Sequence, residues 1–283
     1  MVALFLFLFF KFLPLFLLFM ANLSKYKAII LAGGKGTRLY PITYEIPKPL
    51  LPVKRKPIIN YLVDLFCQQG IKDIAVLIGQ DFRDEFEWWH KRYYPSTGSS
   101  TEAHSKSSGQ APSSLRSSGQ VPKIEFFEEK EPLGTFGGLC YLKDWLGNNP
   151  FFLTNGDELK KIDLIKMAKF HKDLPVLGTM ALVRVSNPQD YGVVLCQKGM
   201  VKEFLEKPVN PPSKYINSGL YLFSPEVFQY HQGPKFSMVE KDLFPKLAQE
   251  KKLGGFKFEG SWMDCGTFER YSRAIKQWPS TKK

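Results

Sequence analysis

Cysteine and histidine are scarce in this chain, with four of each in 283 residues. Cys67, Cys140, Cys196 and Cys265 are widely scattered and form no C-x-x-C pair. That excludes a zinc-ribbon pattern or a disulfide framework and fits a reducing compartment. His90, His104, His171 and His231 show no metal-ligand spacing. The net charge is +12, a balance that favours anionic partners. There is no Lys/Arg-rich run and no basic stripe interleaved with aromatics, which argues against nucleic acid and leaves membrane surfaces and phosphorylated small molecules.

The first 20 residues stand apart. All but Lys11 and Pro14 are apolar, and 14 are Phe or Leu. On insertion scales these contribute roughly −6 kcal/mol, against roughly +3 for one central Lys. No basic stretch precedes the run, so it is a poor secretory signal. The preferred reading is that translation starts at Met20. A membrane anchor, with membrane contact through residues 1–20 alone, comes second. Residues 96–120 are rich in Ser and Gly and carry an imperfect echo, Ser107-Ser-Gly-Gln-Ala-Pro and Ser117-Ser-Gly-Gln-Val-Pro. Such a stretch buries too little surface to offset its ordering entropy, so it is expected to be a disordered surface insertion.

The remainder reads as alternating strands and helices. Lys27 to Ala32, Ile74 to Gly79, Lys123 to Glu128 and Phe151 to Thr154 are short apolar runs typical of buried strands. Helices are expected from Pro57 to Gln69, from Asp81 to Tyr93 with an Asp81 cap, and from Thr135 to Trp145 with a Thr135 cap. Asp163 caps a further helix reaching His171, and Val176 to Val185 is another strand. From Gly192 to Phe223 the pattern shifts to strands and turns, which predicts antiparallel structure. Ser237 and Glu240 have capping-box spacing for a late helix. A short strand at Phe256 to Phe258 and a helix from Thr267 to Trp278 close the chain. The alternation predicts a sheet covered on both faces.

Two motifs carry chemistry. Leu31-Ala-Gly-Gly-Lys-Gly-Thr-Arg38 runs from a strand into a glycine-rich turn, where backbone N–H groups can approach a phosphate. It is not a Walker A loop, because no Gly-Lys-Ser/Thr closes it. It is not the dinucleotide fingerprint, because Leu39 stands where a third Gly belongs. Arg38 can bridge phosphate oxygens bidentately. In Pro47-Lys48-Pro49-Leu50-Leu51-Pro52-Val53, three prolines stiffen the backbone around one lysine.

Together these motifs, with the spacing kept from Ala28 to Asn60, resemble the signature of the sugar-1-phosphate nucleotidyltransferases, also called nucleotide-sugar pyrophosphorylases. The resemblance continues through Glu131-Pro-Leu-Gly-Thr-Phe-Gly-Gly138, Phe152-Leu-Thr-Asn-Gly-Asp157, Tyr191-Gly192, Glu206-Lys207-Pro208, Asn217-Ser-Gly-Leu-Tyr221 and Trp262-Met-Asp264-Cys-Gly-Thr267. It covers residues 26–278. It implies a three-layer, Rossmann-like mixed α/β sheet of the nucleotide-diphospho-sugar transferase type. Some relatives append a β-helix; the chain ends soon after the closing signature, so none is expected.

The resemblance further implies nucleotide contacts at Leu31, Ala32, Gly33, Gly34, Gly36, Thr37, Arg38, Lys48 and Gly134, with Arg38 and Lys48 catalytic through charge neutralisation. Asp157 and Asp264 would hold Mg²⁺, which prefers one or two carboxylates plus substrate phosphates. Tyr191, Gly192, Glu206, Lys207 and Asn217 would bind the sugar 1-phosphate. The expected reaction joins a sugar 1-phosphate to a nucleoside triphosphate and releases pyrophosphate. The segments Pro47 to Val53 and Pro132 to Gly138 and the closing signature look most like mannose- or heptose-1-phosphate guanylyltransferases; Arg38-Leu-Tyr-Pro-Ile-Thr43 is similar to the glucose-1-phosphate thymidylyltransferases, which commonly carry a Lys-Gln pair where this chain has Lys48-Pro49. A glycosyltransferase and a nucleotide-sugar sensor are the rivals from other classes. The substrate nucleotides are cytosolic, so the catalytic domain is expected to face the cytoplasm. Oligomeric state is not legible in the sequence.

Overall fold

A computed structural model describes residues 23–95, 122–231 and 233–279. The apolar segment 1–20 and the insertion 96–120 lie outside the described residues. Among the described residues, no helix is long and apolar enough to cross a membrane.

The chain builds one nine-stranded mixed sheet. In chain order its strands are β1 (Lys27–Leu31), β2 (Asp73–Gly79), β3 (Lys123–Glu129), β4 (Phe151–Asn155), β6 (Gly178–Arg184), β7 (Gly192–Gln197), β8 (Met200–Glu206), β9 (Tyr215–Phe223) and β10 (Leu253–Lys257). Their spatial order is β3-β2-β1-β4-β9-β6-β10-β8-β7. Two three-residue strands, β5 (Glu158–Lys160) and β11 (Trp262–Asp264), form a separate antiparallel ribbon.

Strands β1 to β4 are mutually parallel neighbours, with Leu31 in register with both Leu77 and Asn155. Successive side chains of a strand face opposite ways. Ala28 and Ile30 therefore join one apolar cluster while Ile29 joins another. On the first face pack α1 (Ile58–Gln68), α2 (Arg83–Tyr93) and α3 (Leu164–Lys172). On the second face pack the helical turns of Gly134–Leu146 and α4 (Phe244–Gln249). These are the three layers anticipated above. The antiparallel expectation for residues 192–223 also holds, since β7 pairs antiparallel with β8, and β9 with β4 and β6.

A third, smaller cluster matters for the site. Leu39, Leu51, Val53, Ile58, Leu159, Cys265, Ala274 and Trp278 pack together beneath α5 (Phe268–Gln277). It clamps the glycine turn, the Pro/Lys loop, the β5–β11 ribbon and the closing helix into one body.

Three local expectations fail. Asp81 does not cap α2: residues Gln80–Phe82 form a separate 3₁₀ turn, and Phe82 occupies the cap without a side-chain bond. The expected Thr135–Trp145 helix is broken into α, 3₁₀ and α turns. Gly137 and Gly138 cause this. A Cβ on Gly137 would lie 2.2 Å from the Lys235 carbonyl, and one on Gly138 2.2 Å from Glu129 Oε1. The chain is pressed against two neighbours and bends to fit them. The Ser237/Glu240 capping box does not form either. The segment starts as a π turn, Val239–Leu243, and Asp242 accepts the Met238 N–H at 2.7 Å instead. Glu240 is drawn elsewhere: Thr135 Oγ1 donates to its Oε2 at 2.9 Å and the Tyr221 hydroxyl to its Oε1 at 3.3 Å. Of the four free cysteines, Cys67 and Cys265 are buried and Cys140 and Cys196 are half-buried.

Candidate active site

Strand β1 has β2 on one side and β4 on the other, both parallel to it. Open α/β sheets bind ligands at such a switch point, outside the carboxyl ends of the strands. A cleft of about 370 Å³ opens there, lined by Leu31, Ala32, Gly33, Gly34, Lys48, Asn155, Gly156, Asp157, Glu129, Gly134, Thr135, Phe236 and Met238, among others. Its volume falls in the range of small-molecule sites, about 300–1,000 Å³.

The glycine turn forms one wall. Ala32 N–H still donates to the Leu77 carbonyl at 2.7 Å. From Gly33 to Arg38 no backbone N–H donates to another described residue, so these donors remain for a ligand. Gly36 has φ +66°, and its carbonyl accepts Thr43 Oγ1 at 2.9 Å. Thr37 and Arg38 sit in a single 3₁₀ turn. Arg38 is exposed, and its Nη2 lies 3.6 Å from where a Cβ on Gly266 would be. That places the guanidinium beside the Asp264 turn. Gly134, at φ +76°, has no room for a side chain: a Cβ would sit 2.6 Å from the Ser237 carbonyl.

The two aspartates meet through the β5–β11 ribbon. Asp264 pairs with Glu158 in register, and Cys265 N–H donates to the Asp157 carbonyl at 3.0 Å. Each carboxylate is held by a cation. Lys48 Nζ is 2.9 Å from Asp157 Oδ2, while Arg270 Nη1 is 2.5 Å from Asp264 Oδ2. Asp264 Oδ1 accepts the Gly266 N–H at 2.5 Å. Behind them lies a buried ion pair, Lys160 Nζ to Glu158 Oε2 at 3.2 Å. Burial, with Asp157 and Asp264 nearby and against the pull of Lys160, raises the Glu158 carboxyl to about 7. A set of hard oxygen donors concentrated among cations at a strand end suits a divalent metal bridged to phosphate. Among the described residues no group of three or more His, Cys, Asp or Glu side chains could hold a metal by itself.

The remaining residues implied by the resemblance form a second group outside the 370 Å³ cleft. The Tyr191 ring carries the Arg270 guanidinium at 4.5 Å and meets Trp262 edge-on at 5.3 Å. Arg270 therefore links this group to Asp264. Gly192 lies against Phe204, with no room for a Cβ. Glu206 and Lys207 are exposed and 3.9 Å apart; Lys207 N–H donates to the Tyr191 carbonyl at 3.1 Å. Asn217 Nδ2 donates to the Tyr221 hydroxyl at 2.7 Å, and its Oδ1 accepts the Gly219 N–H at 2.9 Å.

A profile of the nucleotidyl transferase family matches residues 27–280. The chain belongs to that family. As a nucleotidyl transferase it is 35% identical over 244 residues to the mannose-1-phosphate guanylyltransferase catalytic subunit beta of Xenopus tropicalis, covering 85% of this chain and 61% of that protein. It is 34% identical over 255 residues to a mannose-1-phosphate guanyltransferase of Schizosaccharomyces pombe, covering 87% and 62%. The chain thus spans about three fifths of the length of these curated relatives. Among solved structures it resembles HddC of Yersinia pseudotuberculosis complexed with GMP-PN, with TM-score 0.67 and 25% identity over 90% of this chain and 100% of that one. The mixed α/β fold is that of the sugar-1-phosphate nucleotidyltransferases.

Three residues of the candidate site escape a reading of the sequence. Arg270 grips Asp264. Phe236 lines the cleft. Glu129, at the end of β3, lies between Gly33 and Gly138 and has its carboxyl raised by burial. Its Oε1 is buried without a partner.

Proposed function

We propose that this chain condenses a sugar 1-phosphate with a nucleoside triphosphate to give a nucleotide sugar and pyrophosphate. GTP is the nucleotide and a manno-configured sugar the acceptor. One observation carries the reading: Asp157 and Asp264, 107 positions apart in the sequence, meet with Lys48 and Arg38 at the carboxyl end of the parallel strands. Two polyanions must come together there, so catalysis is mostly positioning and charge neutralisation.

In this reading the N–H groups of Gly33 to Thr37 and the side chains of Arg38 and Lys48 hold the triphosphate. Lys207, Glu206, Tyr191, Gly192 and Asn217 orient the sugar 1-phosphate. A phosphate oxygen of the sugar attacks the α-phosphorus; the new O–P bond forms as the bond from the α-phosphorus to the bridging oxygen breaks, and pyrophosphate leaves. Mg²⁺, held by Asp157 and Asp264, would neutralise phosphate charge when bound. Lys48 and Arg270 hold those carboxylates in place. The need for nucleoside triphosphate places the catalytic domain on the cytoplasmic side.

Guanine is favoured by Glu129. A buried carboxylate oxygen without a partner calls for a donor, and the Watson–Crick edge of guanine offers two, the ring N1–H and the exocyclic amine. Thymine and uracil offer one. The guanylyltransferase names of the curated relatives support the same choice. A panel of GTP, ATP, UTP and dTTP against mannose, glucose and heptose 1-phosphates, scored by pyrophosphate release, tests it. The fastest release is expected with GTP and a manno sugar; dTTP with glucose 1-phosphate as the best pair would overturn the substrate reading, and no release from any pair would overturn the reaction.

A further inference from the structure

Phe236 is 67% exposed, yet it lines the same cleft as Gly33, Gly34 and Glu129. An aromatic ring left in water at the rim of a binding cleft is an unused apolar face. The backbone that follows it is pinned. Ser237 N–H donates to the Leu133 carbonyl at 2.9 Å, and the Ser237 carbonyl accepts Phe136 N–H at 2.9 Å and Gly137 N–H at 3.1 Å. Val239 N–H donates to Thr135 Oγ1 at 3.0 Å. Gly134 and Gly137 admit no side chain against Ser237 and Lys235. The segment is therefore stapled onto the cleft wall, and little backbone freedom is lost when the ring engages a ligand.

We infer that Phe236 is a nucleotide-binding residue whose ring stacks on the face of the base. This rests on reading the cleft as the nucleotide site. A phenyl ring has no hydrogen-bonding group, so it grips any base by its π-face, while the Glu129 carboxylate reads the edge. Affinity and base identity are thus assigned to different side chains. Stacking of this kind is sequence-tolerant and costs about 1–3 kcal/mol per base when removed.

Isothermal titration of the full chain with Mg²⁺ and either GTP or inorganic tripolyphosphate separates base from phosphate binding. For F236A, the Kd for GTP should rise about five- to 150-fold, with the Kd for tripolyphosphate unchanged. F236W should bind GTP as the wild type does. If F236A binds GTP within about twofold of a GTP-binding wild type, the role of Phe236 is overturned while the nucleotide reading stands. Equal losses for GTP and tripolyphosphate in F236A also overturn it, because a stacking ring touches no phosphate. If the wild type itself binds no GTP, the nucleotide reading of the cleft falls, and this inference with it.

Discussion

Replacing Glu129 by Gln keeps the side chain's shape and removes its charge. The perturbation is sharp because Glu129 Oε1 is buried and unpartnered on the wall of the cleft. A carboxylate can accept from both guanine N1–H and the guanine amine; a glutamine accepts through its one oxygen and turns an NH₂ towards the other donor. Hydrogen bonds to charged groups contribute about 1.5–3 kcal/mol each. Losing one therefore lowers kcat/KM for GTP about 10- to 150-fold. Inosine triphosphate lacks the amine, so wild-type protein should prefer GTP over it and E129Q should not. A second readout has the opposite sign. Burial raises the folded-state pKa of Glu129 above its ordinary 4.5, so the ionised carboxylate costs stability once pH rises through the folded value. E129Q should thus melt higher than wild type at pH 7, and the gap should close below pH 4.5. Steady-state kinetics with both nucleotides and thermal melts across pH measure these effects. Equal losses for GTP and inosine triphosphate, or a lower Tm at pH 7, would refute the assignment.

Two further outcomes follow from the geometry. Lys48→Ala and Asp264→Ala should each lower the rate of pyrophosphate release about 10²–10³-fold with Tm nearly unchanged; wild-type turnover in either would remove that residue from the chemistry. His171 is buried between Thr179 Oγ1 at 2.8 Å and Ser224 Oγ at 2.9 Å, and burial lowers it from 6.5 to about 4. The unfolded chain takes up this proton first, so stability should fall as pH drops from 6.5 towards about 4. His171→Gln should flatten that slope in urea melts, and an unchanged slope would contradict it.

Much of the site was legible because its residues stand in short, locally unusual contexts. Asp157 follows a buried strand and a glycine, and Lys48 stands between prolines; each is read within a few positions. Arg270 was not legible, because it sits in the Phe268–Gln277 helix among other charged residues and looks like a solvated side chain until Asp264 folds back onto it. Glu129 belongs to the acidic run Glu128-Glu-Lys-Glu131 and looks equally bland; its burial is created by Gly33 and Gly138, which come from two other elements. The β5–β11 ribbon pairs residues more than 100 positions apart through three-residue strands, too short for a periodic signal. The failed caps share this cause. Thr135 and Glu240 have the right spacing to cap their own helices, yet they bond across 105 positions to each other. Tertiary partners outcompeted local ones. Trp88 and Trp89 divide the same way: Trp89 is buried and donates to Asn60 Oδ1 at 2.8 Å, whereas Trp88 is exposed beneath Arg92.

The cleft is proposed to join two phosphates and not merely to bind or hydrolyse them. Phosphorus NMR of the full chain with GTP, mannose 1-phosphate and Mg²⁺ tests it directly. A nucleotide-sugar diphosphate signal and pyrophosphate should grow together in equal amounts as GTP and mannose 1-phosphate disappear. Orthophosphate without a nucleotide-sugar signal, or line broadening of bound GTP with no new species for any nucleotide and sugar 1-phosphate, would contradict it.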